Sequence, residues 1–351
     1  MISHSMSLQL DKEALLNNYN YLKNVSGKNI IPVLKSNGYG LGADLLANTF
    51  HSFGENIFAV ARYSEAYDIL KNTRLKNIKI LVFESIREVP FLSNSTNIIF
   101  SANSFEDLKF LLNNNVPSSQ IHIKLDFGFG RNGLIKKDFT KLYNYILDNK
   151  YTFGGIYTHL FSASKSDQKD IINQFKNIID LIGHDKFDII HIISSECFYN
   201  ADTFNIDNYL RIGQLLYGIQ EPNNIDDNLK KVFRLTGKIE NIKDIRENKY
   251  IGYHEKRKIK NLNYFNMAIV KFGYGDGFLK YNENTTCLIN NVEYYISSIS
   301  MDYTFINVDN RVNVGDEIEF YHDTNKFYTH FNKKIYEFLP SLSLSIPRTV
   351  K

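Results

Sequence analysis

The chain has few cysteines, little net charge and no long apolar run, and each shortage argues against a class of protein. Cys197 and Cys287 are far apart and lack metal-ligand spacing, which favours free thiols in a reducing compartment. A net charge of +3 is too small to indicate a nucleic-acid or membrane-surface partner. No apolar run reaches the ~20 residues of a membrane span, and residues 1–6 lack a secretory leader pattern. We therefore expect a cytoplasmic protein without a metal site.

From about residue 10 to 230, strand-like apolar runs alternate with helical patterns. Seven or eight strand–helix units over this length are typical of a (β/α)8 barrel of about 250 residues. A doubly wound parallel sheet is the alternative that periodicity leaves open. The predicted strands are 30–34, 57–61, 78–83, 97–100, 121–125, 152–158 and 188–193. The predicted helices are 11–24, with Asp11 as N-cap, and 43–52, 64–71, 104–114, 136–148 and 167–183.

Past about residue 232 the pattern changes to short β-rich runs separated by turn residues. These runs lie at 234–239, 264–272, 286–289, 292–298, 305–308 and 317–321. They predict a smaller, mainly antiparallel β domain. We therefore expect an α/β protein with a cofactor-binding barrel at 1–232 and a C-terminal β domain at 233–351.

An apolar run that ends on Lys35 is followed at once by a glycine-rich turn containing Tyr39. Active sites of barrels lie at the carboxyl ends of the strands, which is where Lys35 would stand. A lysine in apolar surroundings loses its proton more readily and can act as nucleophile or base. The glycines of the turn, Gly38, Gly40 and Gly42, free backbone N–H groups for an anion. Taken alone, the segment is equally consistent with a surface lysine before a tight turn.

Other polar groups follow later strands, and each has an ordinary structural explanation when taken singly. They are Arg131 in a glycine-rich turn, His159, Ser195, and Arg211 with Gly213. Lys124 and Asp126 share one face of their strand and are consistent with a simple ion pair. The carboxyl ends of barrel strands converge on one face. A lysine, several cations and phosphate-cradling backbone on that face indicate an anionic cofactor that forms a Schiff base.

With these residues in view, the chain resembles the alanine racemases, a pyridoxal-phosphate-dependent family with an N-terminal barrel and a C-terminal β domain. The strongest motif is Val33-Leu34-Lys35-Ser36-Asn37-Gly38-Tyr39-Gly40, close to the family's lysine signature. Matching blocks follow in the family's order over nearly the whole chain. They are Lys124-Leu125-Asp126 to Arg131, Thr158-His159, Ser194-Ser195, Arg211-Ile212-Gly213, Tyr217-Gly218, Gly273-Tyr274-Gly275-Asp276-Gly277 and Ser300-Met301-Asp302.

The resemblance implies two catalytic residues and the cofactor pyridoxal 5'-phosphate. Lys35 matches the lysine that holds the cofactor and serves as one base, and Tyr253 matches the tyrosine base on the opposite face. Racemisation needs a proton donor on each face of Cα, which these two groups would supply. Tyr250 is the neighbouring alternative to Tyr253.

The resemblance also implies binding roles for further positions. Cofactor contacts are implied for Tyr39, Ser195, Gly213 and Gln214 at the phosphate, Arg211 at the pyridine nitrogen, and Arg131 near the phenolic oxygen. His159 and His191 match supporting positions, and Lys124 matches a lysine that is often carbamylated. Substrate contacts are implied for Arg131, Tyr274, Met301 and Asp302. Tyr274, Met301 and Asp302 match the part that completes a partner subunit's site, so the resemblance implies a head-to-tail homodimer.

The expected activity is interconversion of L- and D-alanine, supplying D-alanine for cell-wall peptidoglycan. Four departures from the family pattern concern substrate specificity: Phe127 for threonine, Ser300 for cysteine, Leu344 for tyrosine and Ser345 for arginine. A serine or broad-specificity racemase is therefore the alternative. A barrel-type amino-acid decarboxylase shares the lysine and cofactor, but its late-barrel glycine motif and C-terminal cysteine segment are not found. A cofactor-binding barrel without catalysis would lack the second domain.

Overall fold

The structure is a computed structural model that describes residues 4–88, 96–161, 164–199, 205–220, 225–255 and 264–351. Residues 1–3, part of the segment searched for a leader, lie outside this range. The chain divides into two compact units. The barrel unit comprises Leu16–Gly38 and Leu46–Leu216. The β unit comprises Met1–Leu15, Tyr39–Leu45 and Tyr217–Lys351.

The strands of the described residues are named in chain order. They are β1 Met6–Leu10, β2 Asn29–Pro32, β3 Ile57–Val60, β4 Lys79–Val82, β5 Ile98–Ala102, β6 Ile121–Lys124, β7 Phe153–Tyr157, β8 Phe187–His191, β9 Tyr209–Ile212, β10 Phe233–Lys238, β11 Asn241–Asp244, β12 Tyr250–Ile251, β13 His254–Glu255, β14 Asn266–Val270, β15 Thr286–Ile289, β16 Val292–Ile299, β17 Thr304–Val308, β18 Glu317–Phe320 and β19 Arg348–Val350. The α-helices are α1 Lys12–Ser26, α2 Ala43–Ser52, α3 Tyr63–Asn72, α4 Phe105–Asn113, α5 Phe139–Asn149, α6 Lys165–Ile182 and α7 Thr324–Phe331.

The barrel unit is a closed ring of parallel strands. Strands β3 to β8 pair with their neighbours in chain order, and β2 pairs with β9. Parallel bridges Val33–Ala59 and Ser194–Arg211 join the two sheets, so the described strands β2 to β9 form an eight-stranded ring. The predicted (β/α)8 barrel is confirmed, and the doubly wound sheet was wrong. Strands β5 and β7 are buried along their whole length, as expected of parallel strands covered on both faces.

Side-chain caps fix the starts of several helices. The predicted N-cap Asp11 accepts a hydrogen bond from Ala14 N at 2.9 Å, so α1 begins at Lys12. Ser104 and Ser164 accept in the same way from Asp107 N and Asp167 N at the starts of α4 and α6. Among the helices that the structure describes, none is both long enough and apolar enough to cross a membrane.

The β unit contains a nine-stranded sheet within the described residues, in the order β11-β14-β17-β16-β15-β18-β10-β1-β19. The predicted antiparallel β region is confirmed. Sequence analysis did not predict that β1 would pair with β10, antiparallel, and with β19, parallel. The N-terminal strand therefore belongs to the sheet built mainly from the C-terminal third. The boundary at residues 232 and 233 stays a prediction.

Candidate active site

Lys35 lies three residues beyond the first barrel strand and opens a left-handed turn. Leu34 N donates to Ala59 O at 2.7 Å, which fixes the segment before Lys35 against β3. The next residues, Ser36, Asn37 and Gly38, have φ of 53°, 54° and 62°, and Tyr39 has 57°. This conformation costs roughly 1–2 kcal/mol for each residue with a Cβ. Strain of this kind persists only where the surrounding structure holds it, and it is typical of functional sites.

The carboxylate of Glu65 holds the start of this turn. Glu65 Oε1 accepts a hydrogen bond from Ser36 N, and Oε2 accepts from Ala61 N and Arg62 N at 2.9 and 3.0 Å. One side chain on α3 therefore ties the peptide after Lys35 to the end of β3. Sequence analysis did not single out Glu65, because its position resembles that of any acidic residue in a first helical turn.

The electrostatic surroundings of Lys35 favour its neutral form. Burial lowers the pKa of Lys35 and the nearby Arg131 lowers it further, while Glu65 and Glu196 oppose the shift. A neutral amine is the form that attacks a carbonyl carbon or accepts a proton. Lys35 thus has a larger reactive fraction near neutral pH than an ordinary surface lysine.

Arg211 is a buried cation held by the backbone of neighbouring strands. Its side chain is 5% exposed, and Nη1 donates to the carbonyl oxygen and to Nδ1 of His191 at 2.7 and 2.6 Å. Nη2 donates to Thr158 O at 2.7 Å. Among the described residues, none accepts a hydrogen bond from Nε and no carboxylate forms an ion pair with Arg211. The fixed guanidinium therefore keeps one N–H for an external acceptor.

The ring of Tyr157 packs against both His191 and Arg211. Its ring stacks on the ring of His191 with centroids 4.6 Å apart and planes 9° apart. The guanidinium carbon of Arg211 lies 5.0 Å from the Tyr157 ring centroid. The Tyr157 hydroxyl is 2.8 Å from Ser101 Oγ, and burial raises the pKa of Tyr157 to about 12. Tyr157 is therefore a neutral phenol at ordinary pH.

Lys124 is a second buried cation of the barrel unit, 5% exposed, with its Nζ 6.0 Å from the Tyr157 ring centroid. Burial lowers the pKa of Lys124 to about 8, and Arg131 and Arg211 act in the same direction. The simple Lys124–Asp126 ion pair is not formed. The Asp126 carboxylate accepts instead from four backbone N–H groups of its own turn, those of Gly128, Phe129, Gly130 and Arg131.

The turn held by Asp126 carries Arg131 and Phe129 to His159. The Arg131 guanidinium carbon lies 4.5 Å from the Phe129 ring centroid, and Phe129 meets the His159 ring edge-on at 4.9 Å. Burial lowers the pKa of His159 to about 3, together with the charges of Arg211, Arg131, Lys124 and Lys35. Four predicted site cations thus surround one neutral histidine. Such a concentration of positive charge suits an anionic ligand.

The predicted phosphate contacts fall in both units. In the barrel unit, Gly213 N donates to Ser195 Oγ at 3.1 Å, which leaves the Ser195 hydroxyl hydrogen available for another acceptor. Gln214 follows Gly213 and opens a short 3-10 turn. In the β unit, the Tyr39 ring contacts those of Tyr217 and Tyr336, with centroids 5.5 and 6.2 Å away.

The β unit contains the remaining predicted residues. Tyr253 is 64% exposed, and Lys280 Nζ lies 4.6 Å from its ring centroid and 5.6 Å from that of Tyr274. Met301 is exposed, and its carbonyl oxygen accepts from Gly275 N at 2.9 Å. Asp302 is exposed beside it. The β unit therefore brings Tyr253 and Tyr274 together around one lysine.

Tyr157, Glu65 and His122 also belong to this site, although none of them was predicted from the sequence. His122 lies two residues before Lys124 on β6, so strand alternation could have placed both on one face. Tyr157 likewise lies two residues before His159 in the sequence. Within the described part of the chain, no group of three or more histidine, cysteine, aspartate or glutamate side chains could hold a metal ion.

Two family models match the chain in sequence. "Alanine racemase, N-terminal domain" matches residues 10–221, and "Alanine racemase, C-terminal domain" matches residues 232–350. An alanine racemase of Fusobacterium nucleatum is 28% identical over 324 residues, covering 89% of this chain and 89% of its own. One of Campylobacter concisus is 29% identical over 353 residues, covering 97% and 98%. The crystal structure of alanine racemase from Bartonella henselae with covalently bound pyridoxal phosphate has a TM-score of 0.81 at 23% identity. It covers 99% of this chain and 100% of its own.

Proposed function

Because the chain belongs to the alanine racemase family, we propose that it interconverts L- and D-alanine with pyridoxal 5'-phosphate as cofactor. The observation that carries the proposal is the cluster of Lys35, Lys124, Arg131 and Arg211 around His159, within which the pKa of Lys35 is lowered. Relatives named alanine racemase, and a solved member with the cofactor covalently bound, support the same reaction. A supply of D-alanine for peptidoglycan and a cytoplasmic location stay predictions.

The donor set of the barrel unit fits this cofactor. Arg211 is buried, has no carboxylate partner among the described residues and keeps its Nε–H for an acceptor, as a ring nitrogen would require. Lys35 supplies an amine for the aldehyde carbon, and Arg131 supplies a cation for the phenolic oxygen. Ser195, Gly213 and Gln214 would hold the phosphate. When bound, the cofactor supplies the electron-accepting ring that makes the Cα proton of an amino acid acidic.

The two faces of Cα are served by two different side chains of the protein. The lowered pKa of Lys35 lets its amine accept the proton from one face and return it. On the other face we assign this role to the phenol of Tyr253, which is exposed and has the Lys280 cation over its ring. We assign the binding of the substrate's carboxylate and side chain to Arg131, Tyr274, Met301 and Asp302. In this proposal Tyr253, Tyr274, Met301 and Asp302 come from the second subunit of a head-to-tail homodimer.

Arg211 limits the reaction to proton transfer. A guanidinium stays protonated at ordinary pH, so it donates a hydrogen bond to a ring nitrogen but does not transfer its proton to it. The buried carbonyl oxygens of His191 and Thr158 hold it in one position. An unprotonated ring nitrogen accepts less charge, which disfavours side reactions that need the ring as a stronger electron sink.

The departures of this chain from the family pattern favour a second candidate within the same reaction class. Leu344 is 79% exposed, and Ser345 Oγ pairs with Ser343 Oγ at 2.8 Å where the pattern has tyrosine and arginine. Smaller side chains at both positions are consistent with a larger substrate, such as one with a hydroxylated side chain. A serine or broad-specificity racemase is therefore the alternative proposal.

A test of the reaction uses purified full-length protein with pyridoxal phosphate in D2O. Each L-amino acid is added singly, and deuterium at Cα and the D-isomer are followed by NMR and chiral chromatography. We expect both with L-alanine, and faster turnover of L-serine would move the assignment to the alternative. Release of CO2 without any D-isomer would contradict racemisation and support the decarboxylase.

Two variants test the cofactor assignment. Lys35→Ala should abolish the absorption band of the covalently held cofactor and the D-isomer formation. Lys169→Ala, at an exposed position on α6, is the matched control and should change neither. A persistent band in Lys35→Ala would show that another amine holds the cofactor.

A further inference from the structure

A chain of hydrogen bonds runs behind Arg211 into the barrel core and ends at His122, a residue that the proposed reaction does not use. Arg211 Nη1 lies 2.6 Å from His191 Nδ1, and His191 Nε2 lies 2.9 Å from His122 Nδ1. The backbone of Gly154 raises the pKa of His122 slightly, against the larger effect of burial. Both histidines are buried, at 1% and 0% exposure.

Arg211, at one end of this series of hydrogen bonds, fixes the position of each proton along it. Arginine only donates, so His191 Nδ1 must accept and carries no hydrogen. The single hydrogen of neutral His191 is then on Nε2 and points to His122 Nδ1, which must accept it. His122 is neutral and its Nδ1 accepts, so it carries its own hydrogen on Nε2. One arrangement satisfies every link.

Both histidines are neutral, as this arrangement requires. Burial lowers the pKa of His122 to about 3, and the charges of Arg211 and Lys79 lower it further. Burial lowers the pKa of His191 well below its usual range, with Arg211 acting in the same direction. The arrangement therefore does not titrate near neutral pH, and it acts as a fixed support for Arg211.

The ring plane and the ring orientation of His191 have separate causes. Stacking on Tyr157 fixes the plane, but a 180° flip of the ring would preserve that stacking. The flip would turn carbon atoms toward both Arg211 and His122, with the loss of two hydrogen bonds. The donor at one end and the acceptor at the other therefore select a single orientation, and His122 is the acceptor.

The neighbouring strand leaves the space that the His122 ring occupies. His122 pairs with Gly155 on β7, and a Cβ on Gly155 would lie 2.8 Å from both Nδ1 and Cε1 of His122. The same Cβ would lie 2.6 Å from Ile189 O. A side chain at position 155 therefore cannot coexist with the ring in this place.

We propose that His122 is a positioning residue for the reaction: it locks His191 in the Nε2-protonated orientation that holds the Arg211 guanidinium for the cofactor. This role rests on the proposed function, because it acts through the contact of Arg211 with the cofactor ring nitrogen. In this role His122 acts through His191 and not by contact with the substrate or cofactor. Removing it leaves the charge of Arg211 in place but frees the ring that orients it.

The test compares His122→Leu, which removes the acceptor, with His122→Asn, whose side-chain oxygen can replace Nδ1. His184→Leu, at an exposed histidine at the start of the segment leading into β8, is the matched control. Imidazole ¹⁵N NMR of the full chain without cofactor reads the tautomers directly. We expect His191 of the wild type and of His122→Asn to carry hydrogen on Nε2 alone. In His122→Leu a flip of the His191 ring loses one hydrogen bond instead of two, so we expect a flipped, Nδ1-protonated form beside the Nε2-protonated one.

Kinetics with pyridoxal phosphate and L-alanine supply the second measurement. We expect kcat of His122→Leu to fall about 10-fold, with KM little changed. We expect His122→Asn to recover most of this loss and His184→Leu to match the wild type. Urea unfolding of each variant identifies any loss of folded protein, and kcat is normalised to the folded fraction.

Two results would overturn the proposal: an unchanged His191 tautomer in His122→Leu, or equal kcat losses in folded His122→Leu and His122→Asn. The second result would mean that ring volume matters and hydrogen bonding does not. If the wild type forms no D-isomer from any amino acid, the proposed function fails. The tautomer measurement without cofactor then still decides whether His122 orients His191.

Discussion

The burial of the Lys124 amine predicts how the stability of the protein changes with pH. Its pKa of about 8, against an ordinary 10.5, corresponds to about 3 kcal/mol of destabilisation when the buried amine is protonated. The folded protein binds the proton less tightly than the unfolded chain does. The penalty is therefore complete below pH 8 and disappears as pH rises through 10.5. Lys124→Met keeps an apolar side chain of similar length and removes the penalty at every pH.

We expect Lys124→Met to raise the free energy of unfolding by up to about 3 kcal/mol at pH 7 and by only about 1 kcal/mol at pH 10. Urea unfolding in CO2-free buffer measures both values, and Lys169→Met, at an exposed lysine, is the control. A stability difference that stays constant from pH 7 to pH 10 would refute the assigned pKa and the burial argument behind it.

The same pKa predicts reaction of Lys124 with CO2. At pH 7 about one tenth of the Lys124 amines would be neutral, roughly 300-fold more than for an ordinary lysine. A neutral amine adds to CO2 to form a carbamate anion and releases one proton. The anion would face Arg131 and Arg211, so bicarbonate should stabilise the wild type but not Lys124→Met. With ¹³C-labelled bicarbonate, absence of a carbamate signal that depends on Lys124 would contradict this prediction.

Three further substitutions test other parts of the site. Gly40→Ala should lower the free energy of unfolding of the β unit, measured in urea, by more than 1 kcal/mol. The φ of Gly40 is +84°, and a Cβ there would lie 2.3 Å from Leu339 O. Gly54→Ala is the control for positive φ, because a Cβ on Gly54 would meet open space. Glu65→Ala should lower the free energy of unfolding by about 1–3 kcal/mol, because three backbone N–H groups lose their acceptor. An unchanged free energy of unfolding would contradict the conclusion that Glu65 holds the turn after Lys35. Tyr253→Phe should slow Cα deuterium exchange from one enantiomer of alanine far more than from the other, with cofactor affinity unchanged; equal rates would move the role to Tyr250.

Local sequence patterns were sufficient to predict the barrel and the strand ends that carry its polar groups. Parallel strands buried on both faces appear as short apolar runs, and the residue after each run must lie at the carboxyl end. Lys35, Arg131, His159, Ser195 and Arg211 have this position in the sequence. The structure places Arg131 close enough to lower the pKa of Lys35, and it places Lys35, Arg131 and Arg211 close enough to lower the pKa of His159. The catalytic and binding roles given to them stay predictions.

Tertiary structure alone decided which partners these groups have. Asp126 has the sequence position of an ion-pair partner for Lys124, but four backbone N–H groups of its own turn take its carboxylate. The left-handed turn after Lys35 depends on Glu65, which comes from another strand–helix unit. His122 and Arg211 are linked only through His191, across three different strands. Strand β1 likewise joins β10, far along the chain. A local pattern specifies which face a side chain occupies, whereas hydrogen-bond partners and burial depend on the closure of the sheets by distant segments.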